Sequence, residues 1–178
     1  LKQTADLIKQ RMVWRVGFVG SNAQTGAQIE SSYLETLALL EDHLSMRPYL
    51  FGARPAFGDL GVWAELYECS IDPTPGGWLR ERAPKVMAYV DRMRQPVALG
   101  EFEPWSALAP SLEPLLSSQV AGLFLPWSDA NARAISAAQS EFSVELASGS
   151  WTQKPQKYHA RSLAALRTKY AGAKHPAL

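Results

Sequence analysis

Apolar residues recur every three to four positions along most of this chain, a spacing that predicts a mainly helical protein. In residues 28–44 they fall at Ile29, Tyr33, Leu37, Leu40 and Leu44, while Glu30, Glu35, Glu41 and Asp42 supply a polar face. An earlier helix is predicted over residues 3–17, with Leu7, Ile8 and Met12 interleaved with Arg11, Val13, Trp14, Arg15 and Val16. Glycines at 17 and 20 followed by Ser21-Asn22 stop it, and 22–26 reads as a polar loop. Residues 57–69 differ, because Leu60, Val62, Trp63, Ala64, Leu66 and Tyr67 cover nearly all sides of a helix. Such a helix is expected in the middle of a domain. Its Gly58 and Gly61 each weaken it by about 1 kcal/mol relative to Ala, and a closely packed neighbouring helix is the expected compensation.

The later pattern is more broken. Asp72-Pro73-Thr74-Pro75-Gly76-Gly77 reads as a turn, and Pro84 as the first position of a helix carrying Val86, Met87, Val90 and Met93. Prolines interrupt the stretch from 96 to 110. Helices are then expected around Leu112, Leu115, Leu116 and Val120, and from Asp129 behind a Ser128 cap. Phe142, Val144 and Leu146 alternate with polar residues before Gly149, which predicts a short β-hairpin near 141–153. A last helix runs from about Pro155 past Tyr158, Leu163, Leu166 and Tyr170 to Gly172.

Composition narrows the class. The 178 residues are 47% hydrophobic and 20% charged, which suits a folded globular chain with its own core. A net charge of +1 gives no strong pull toward nucleic acid or an anionic membrane. No apolar run reaches the roughly 20 residues a bilayer span requires, and no secretory leader pattern opens the chain. The lone cysteine, Cys69, excludes an internal disulfide and fits a reducing, cytoplasmic setting. The chain starts Leu1-Lys2-Gln3 within a helical pattern and without Met, which suggests a fragment of a longer protein, N-terminal processing being the other route.

The segment Tyr49-Leu50-Phe51-Gly52-Ala53-Arg54-Pro55-Ala56-Phe57-Gly58-Asp59-Leu60 carries the sharpest local signal. An acid three residues past a helix cap can accept the backbone N–H of the cap residue. Here Asp59 is that acid and Ala56 occupies the cap. Upstream lies Arg47-Pro48; downstream come Ala83-Pro84-Lys85-Val86 and then Tyr89, Val90, Arg92 and Met93. In this order and spacing the segments resemble the C-terminal helical domain of glutathione transferases of bacterial type, over roughly residues 1–94. The resemblance implies a glutathione transferase-like helical bundle over 1–100. Residues 101–178 would be an extension packed on it in the same domain, lying over the bundle or closing a cleft. One departure is Ala56, where the family has Ser or Thr. The missing side-chain acceptor is worth about 1 kcal/mol.

The resemblance also implies what this chain lacks. In such enzymes a thioredoxin-like βαβ domain holds glutathione and supplies the Ser, Tyr or Cys that activates its thiol, and no such pattern occurs here. The expected function is therefore that of a helical domain completing a cleft for a small electrophilic substrate and supporting a homodimer. Glutathione is the co-substrate of the parent protein, and this chain alone is expected to be inactive and to hold no cofactor. The competing reading is a non-catalytic helical interaction module of the same fold. Within the family the first helix faces the thioredoxin-like domain, which makes Arg11, Trp14 and Arg15 the candidate substrate-binding group. Trp14 would supply an apolar wall and the arginines would hold an anionic group. The plainer alternative packs Trp14 in the bundle and leaves the arginines in water.

Other residues read as structural. Asp59 is better explained as a cap than as a catalytic acid. Burial and the neighbouring Glu68 argue against a reactive Cys69. His43, His159 and His175 are spread through the sequence without metal-ligand spacing. Lys157, Arg161, Arg167 and Lys169 read as the solvated face of the last helix, and Trp105, Trp127 and Trp151 as buried anchors of the extension.

Overall fold

The computed structural model describes residues 2–173, with the backbone alone for Lys2, Trp14 and Phe18. His175 lies outside the described residues. Helices α1 (Lys2–Phe18), α2 (Gly26–Ser45), α3 (Phe57–Ile71), α4 (Pro73–Arg82) and α5 (Pro84–Arg92) come first. Then follow α6 (Trp105–Leu115), a π-helical stretch (Leu116–Phe124), α7 (Leu125–Ser136), the strands β1 (Phe142–Leu146) and β2 (Gly149–Gln153), and α8 (Lys157–Gly172). The protein is thus mainly helical with one small antiparallel sheet. Among the described residues no helix is long and apolar enough to cross a membrane.

Internal contacts divide the chain into two units. One spans Ser31–Gln119; the other takes in the described residues up to Glu30 and from Val120 onward. The core of the first is built from Leu37, Leu40 and Leu44 of α2, Leu66 of α3, Leu79 of α4, and Val86, Tyr89 and Val90 of α5. Tyr49 and Leu50 in the loop after α2, Ala83 between α4 and α5, and Met93 just after α5 complete it. Side chains three or four apart on α2 and α5 fall on one face, so both helices bury a single stripe, as their periodicity predicts.

Helix α3 departs from the expected all-round burial. Only Asp59 and Leu66 are buried, Val62, Trp63 and Tyr67 are half-buried, and the opposite side is open. Gly61 has nothing within 4 Å of where a Cβ would stand, and Gly58 approaches the Phe51 ring rather than a helix. Close helix packing therefore does not explain these two glycines. Hydrophobicity on all sides shows what a helix can bury, while the number of neighbours decides what it does bury.

Residues 72–77, expected as a turn, instead start α4. The Asp72 side chain accepts the Thr74 N–H at 3.0 Å, and Pro73 takes the first helical position, where its missing N–H costs nothing. Gly76 is required here, since a Cβ would stand 2.5 Å from the Ser70 carbonyl oxygen. Helix α5 begins after Ala83, which offers no capping side chain. Glu41 of α2 replaces it, its carboxylate accepting the N–H groups of Lys85 and Val86 at 2.8–3.0 Å.

Helix α6 starts at Trp105, earlier than the prolines suggest, and holds Pro110 and Pro114 within its length. Both remove ladder donors, and the wider π-helical spacing sets in directly after Leu115. That spacing passes into α7 without a break, so Ser128 is a buried residue inside α7 and not its cap.

In the second unit the hairpin forms as its alternation predicts, pairing Phe142 with Gln153 through Leu146 with Gly149. Gly149 takes a φ of 116°, a conformation that favours glycine. Phe142 packs on Ala130 and Ala134 of α7 and edge-on to Trp127. The indole N–H groups of Trp127 and Trp151 both donate to Gln153 Oε1, at 3.1 and 2.8 Å. These two tryptophans are half-buried anchors. Trp105, at the exposed start of α6, is 53% exposed and does not act as one.

Candidate functional site

The loop between α2 and α3 gathers most of the buried polar chemistry of the first unit. Asp59 sits one turn into α3 and is fully buried. Its Oδ2 accepts the Ala56 N–H and its Oδ1 the Leu50 N–H, each at 2.8 Å. The carboxylate thus closes the helix start and also ties down the loop nine residues earlier. Ala56 has the extended cap conformation but no acceptor, so only one half of the reciprocal pair exists. Tyr89 of α5 donates its hydroxyl to the Asp59 carbonyl at 3.0 Å. Burial, with Asp59 beside it, pushes the Tyr89 pKa far above its ordinary value, so this phenol stays a donor. With every contact inward, Asp59 is a structural residue.

A second group lies at the end of α2. His43 and Arg47 are one turn apart, and both are buried. His43 Nε2 lies 2.8 Å from the Leu50 carbonyl oxygen, which can only accept, so Nε2 carries the proton. Nδ1 is then the bare nitrogen. It faces Arg47 Nη1 at 3.0 Å and Ser111 Oγ of α6 at 2.9 Å. The guanidinium also donates to the His43 and Ala107 carbonyls and pairs through Nε with Glu103 at 3.1 Å. Burial lowers the His43 pKa, and Arg47 lowers it further against the opposing pull of the Leu50 carbonyl, Glu103 and Asp42. A serine hydroxyl against a histidine nitrogen is the contact a nucleophile and base would make. Here both groups are sealed, His43 at 0% and Ser111 at 4% exposure, so a substrate cannot reach the pair for acyl transfer.

Neither the cysteine nor the other described histidine adds chemistry. Burial raises the Cys69 pKa and nearby Glu65, Asp72 and Glu68 raise it further, outweighing the opposite influence of the neighbouring Tyr33. Tyr33 is itself pushed up to about 12 by burial, with Cys69 beside it, and donates its hydroxyl to the Pro75 carbonyl at 3.1 Å. His159 stacks edge-on against Trp127 at 4.9 Å. Among the described residues no group of three or more His, Cys, Asp or Glu side chains could hold a metal ion.

Exposed apolar side chains mark the surfaces with unspent potential. On α3, Phe57, Leu60, Gly61, Ala64 and Ile71 follow one another at spacings of three, one, three and seven residues, which lines them along one side of the helix. All are exposed, Phe57 at 88% and Leu60 at 49%. On α1, Leu7, Ile8, Met12, Val13 and Val16 are likewise exposed. Arg11 and Arg15 share one face of α1, a turn apart, and both are open to solvent. The Trp14 side chain lies outside what the structure describes, so the expected group of Arg11, Trp14 and Arg15 is seen only through its two arginines. The sequence reading missed His43, Arg47, Glu103 and Ser111; the one local signal was the His43–Arg47 spacing of four.

Against known proteins, residues 23–92 match the family model described as the glutathione S-transferase C-terminal domain. No curated protein and no solved structure matches the chain. The matched stretch runs from the loop before α2 to the end of α5, and takes in the Asp59 junction and all but the last residue of the core just described. The similarity to a glutathione S-transferase C-terminal domain is thus carried by residues 23–92.

Proposed function

We propose that this chain supplies the helical half of a glutathione transferase-type enzyme. It completes the cleft for a small electrophile and supports a homodimer, while a thioredoxin-like domain outside the chain binds glutathione and activates its thiol. The family match over residues 23–92 carries this reading. It gains support from the full burial of Asp59 and His43 and from the raised pKa of the half-buried Cys69, none of which suits a thiol-activating role. The exposed apolar residues of α1 and α3 supply the kind of surface that a partner domain covers. Arg11 and Arg15 stand beside the α1 residues and are the groups we assign to an anionic part of the substrate.

The test is calorimetric titration of this chain with glutathione, alone and after joining a thioredoxin-like domain from a glutathione transferase to its N-terminus. The chain alone is expected to give no heat of binding. The joined protein is expected to bind glutathione and to conjugate it to an activated aryl halide. Saturable glutathione binding by the chain alone would overturn the division of labour. The same exposed apolar residues also fit a non-catalytic interaction module. Binding without conjugation in the joined protein would favour that second reading.

A further inference from the structure

In the Ser31–Gln119 unit, the segment between α5 and α6 is strapped across the loop after α2. The Ala53 N–H donates to the Glu101 carbonyl, the Leu99 N–H to the Ala53 carbonyl and the Glu103 N–H to the Phe51 carbonyl, at 2.8–2.9 Å. Tyr49 clamps the start of the strap, its hydroxyl donating to the Val97 carbonyl and accepting the Val97 N–H. Arg54 of the loop also pairs with Glu101 and lies over the Phe102 ring of the strap. At the other end the His43 cluster joins loop, strap and α6, through Leu50, Glu103 and Ser111 respectively.

We propose that His43, Arg47, Glu103 and Ser111 form an acid-sensitive latch that holds the 97–104 strap on the loop after α2. The latch requires a neutral His43, because Nδ1 must accept from Arg47 Nη1 or from the Ser111 hydroxyl. A proton on Nδ1 removes that acceptor and sets an imidazolium 3.0 Å from a guanidinium. The charged groups facing His43 are Asp42 on its own helix, Arg47 in the loop just after it and Glu103 on the strap; α6 offers the Ser111 hydroxyl, and the loop also offers the Leu50 carbonyl. Glu103 already pairs with Arg47, so two cations would share one nearby carboxylate on the strap. Opening the strap lets water reach His43 and screen its charge from that of Arg47.

The sign follows from linkage. Burial and Arg47 lower the His43 pKa in the closed form, so the open form takes up the proton first as pH falls. The latch is at full strength above the ordinary histidine value of roughly 6.5 and weakens as pH drops below it, toward the lowered value of the closed form.

Amide hydrogen exchange on the full chain tests this at about pH 7.5 and about pH 5, on either side of that value, with rates corrected for intrinsic exchange. Protection of the Ala53, Leu99 and Glu103 amides is expected to fall roughly tenfold or more, as for loss of a charge-assisted hydrogen bond, while the Met93 amide in the core keeps its protection. In His43→Gln, which keeps a donor for Leu50 but cannot titrate, the three amides are expected to respond to pH no more than Met93 does. Unchanged protection in the wild type overturns the latch, as does a uniform loss across the unit or an undiminished response in His43→Gln. Should that variant fail to fold, nitrogen-15 spectra of the wild-type imidazole decide the matter. A neutral ring protonated on Nε2, charging in step with the loss of strap protection, supports the latch. A proton resting on Nδ1, or charging out of step, overturns it.

Discussion

Asp59 does two things with one carboxylate, and they were not equally legible. Its bond to the Ala56 N–H is local, three residues away, and follows from helix geometry. Its bond to the Leu50 N–H depends on how the loop folds back, which no spacing rule states. The same division runs through the buried cluster. His43 and Arg47 are a turn apart, but Glu103 lies 56 and Ser111 64 residues beyond Arg47, so their meeting is a product of tertiary structure alone. Because Asp59 satisfies two backbone donors at once, Asp59→Ala leaves the buried Leu50 N–H without its acceptor and uncaps α3 as well. A buried donor left unpaired costs about 1–3 kcal/mol and a lost cap about 1 kcal/mol. A total loss of about 2 kcal/mol or more is expected in denaturant unfolding. A loss well under 1 kcal/mol would mean that the loop carries no part of the stability assigned to this carboxylate.

Among the elements, type was read more securely than ends or environment. Helices α2 and α5 have one clear stripe each, and β1 and β2 alternate, so pattern and structure agree. The disagreements arise where one residue type serves two purposes. Asp-Pro is both a turn signal and a helix start, and at Asp72-Pro73 the second use prevails. Proline breaks a helix only when the lost donor and ring cannot be accommodated, and Pro110 and Pro114 are accommodated in α6. Ser128 has the chemistry of a cap, but the π-helical stretch delivers the chain to α7 already helical. The start of α5 shows how a missing local signal is replaced. Ala83 cannot cap, so Glu41 does so from a different helix, pinning α2 to α5. Glu41→Gln retains one acceptor oxygen and loses the charge that favours a helix N-terminus, and is expected to cost about 0.5–1 kcal/mol. Glu41→Ala should cost about 1–2 kcal/mol, as at an N-cap. Thermal unfolding of the two variants checks the order, and equal stability of wild type and Glu41→Ala would dismiss the cap.

For the molecule as a whole, the informative fact is what remains uncovered. A helix with Phe57, Leu60, Ala64 and Ile71 along one exposed side gains little from them in the free chain, since burial yields only about 25 cal/mol per Å² of apolar area removed from water. The sequence alone could not expose this, because the residues that make α3 look like a central helix are the same whether one side is covered or open. Removing exposed apolar groups should leave folding almost untouched while weakening whatever association they serve. Phe57→Gln combined with Leu60→Gln is therefore expected to change unfolding free energy by no more than about 0.5 kcal/mol per site. The same pair should lower binding of a hydrophobic fluorescent dye by the folded chain, and weaken docking of a thioredoxin-like domain supplied as a separate protein. If stability instead falls by several kcal/mol, these side chains are core residues in solution and α3 is covered there on both sides. If stability holds but dye binding and docking are unchanged, the apolar side of α3 is not the surface that meets a partner, and the exposed residues of α1 become the place to look.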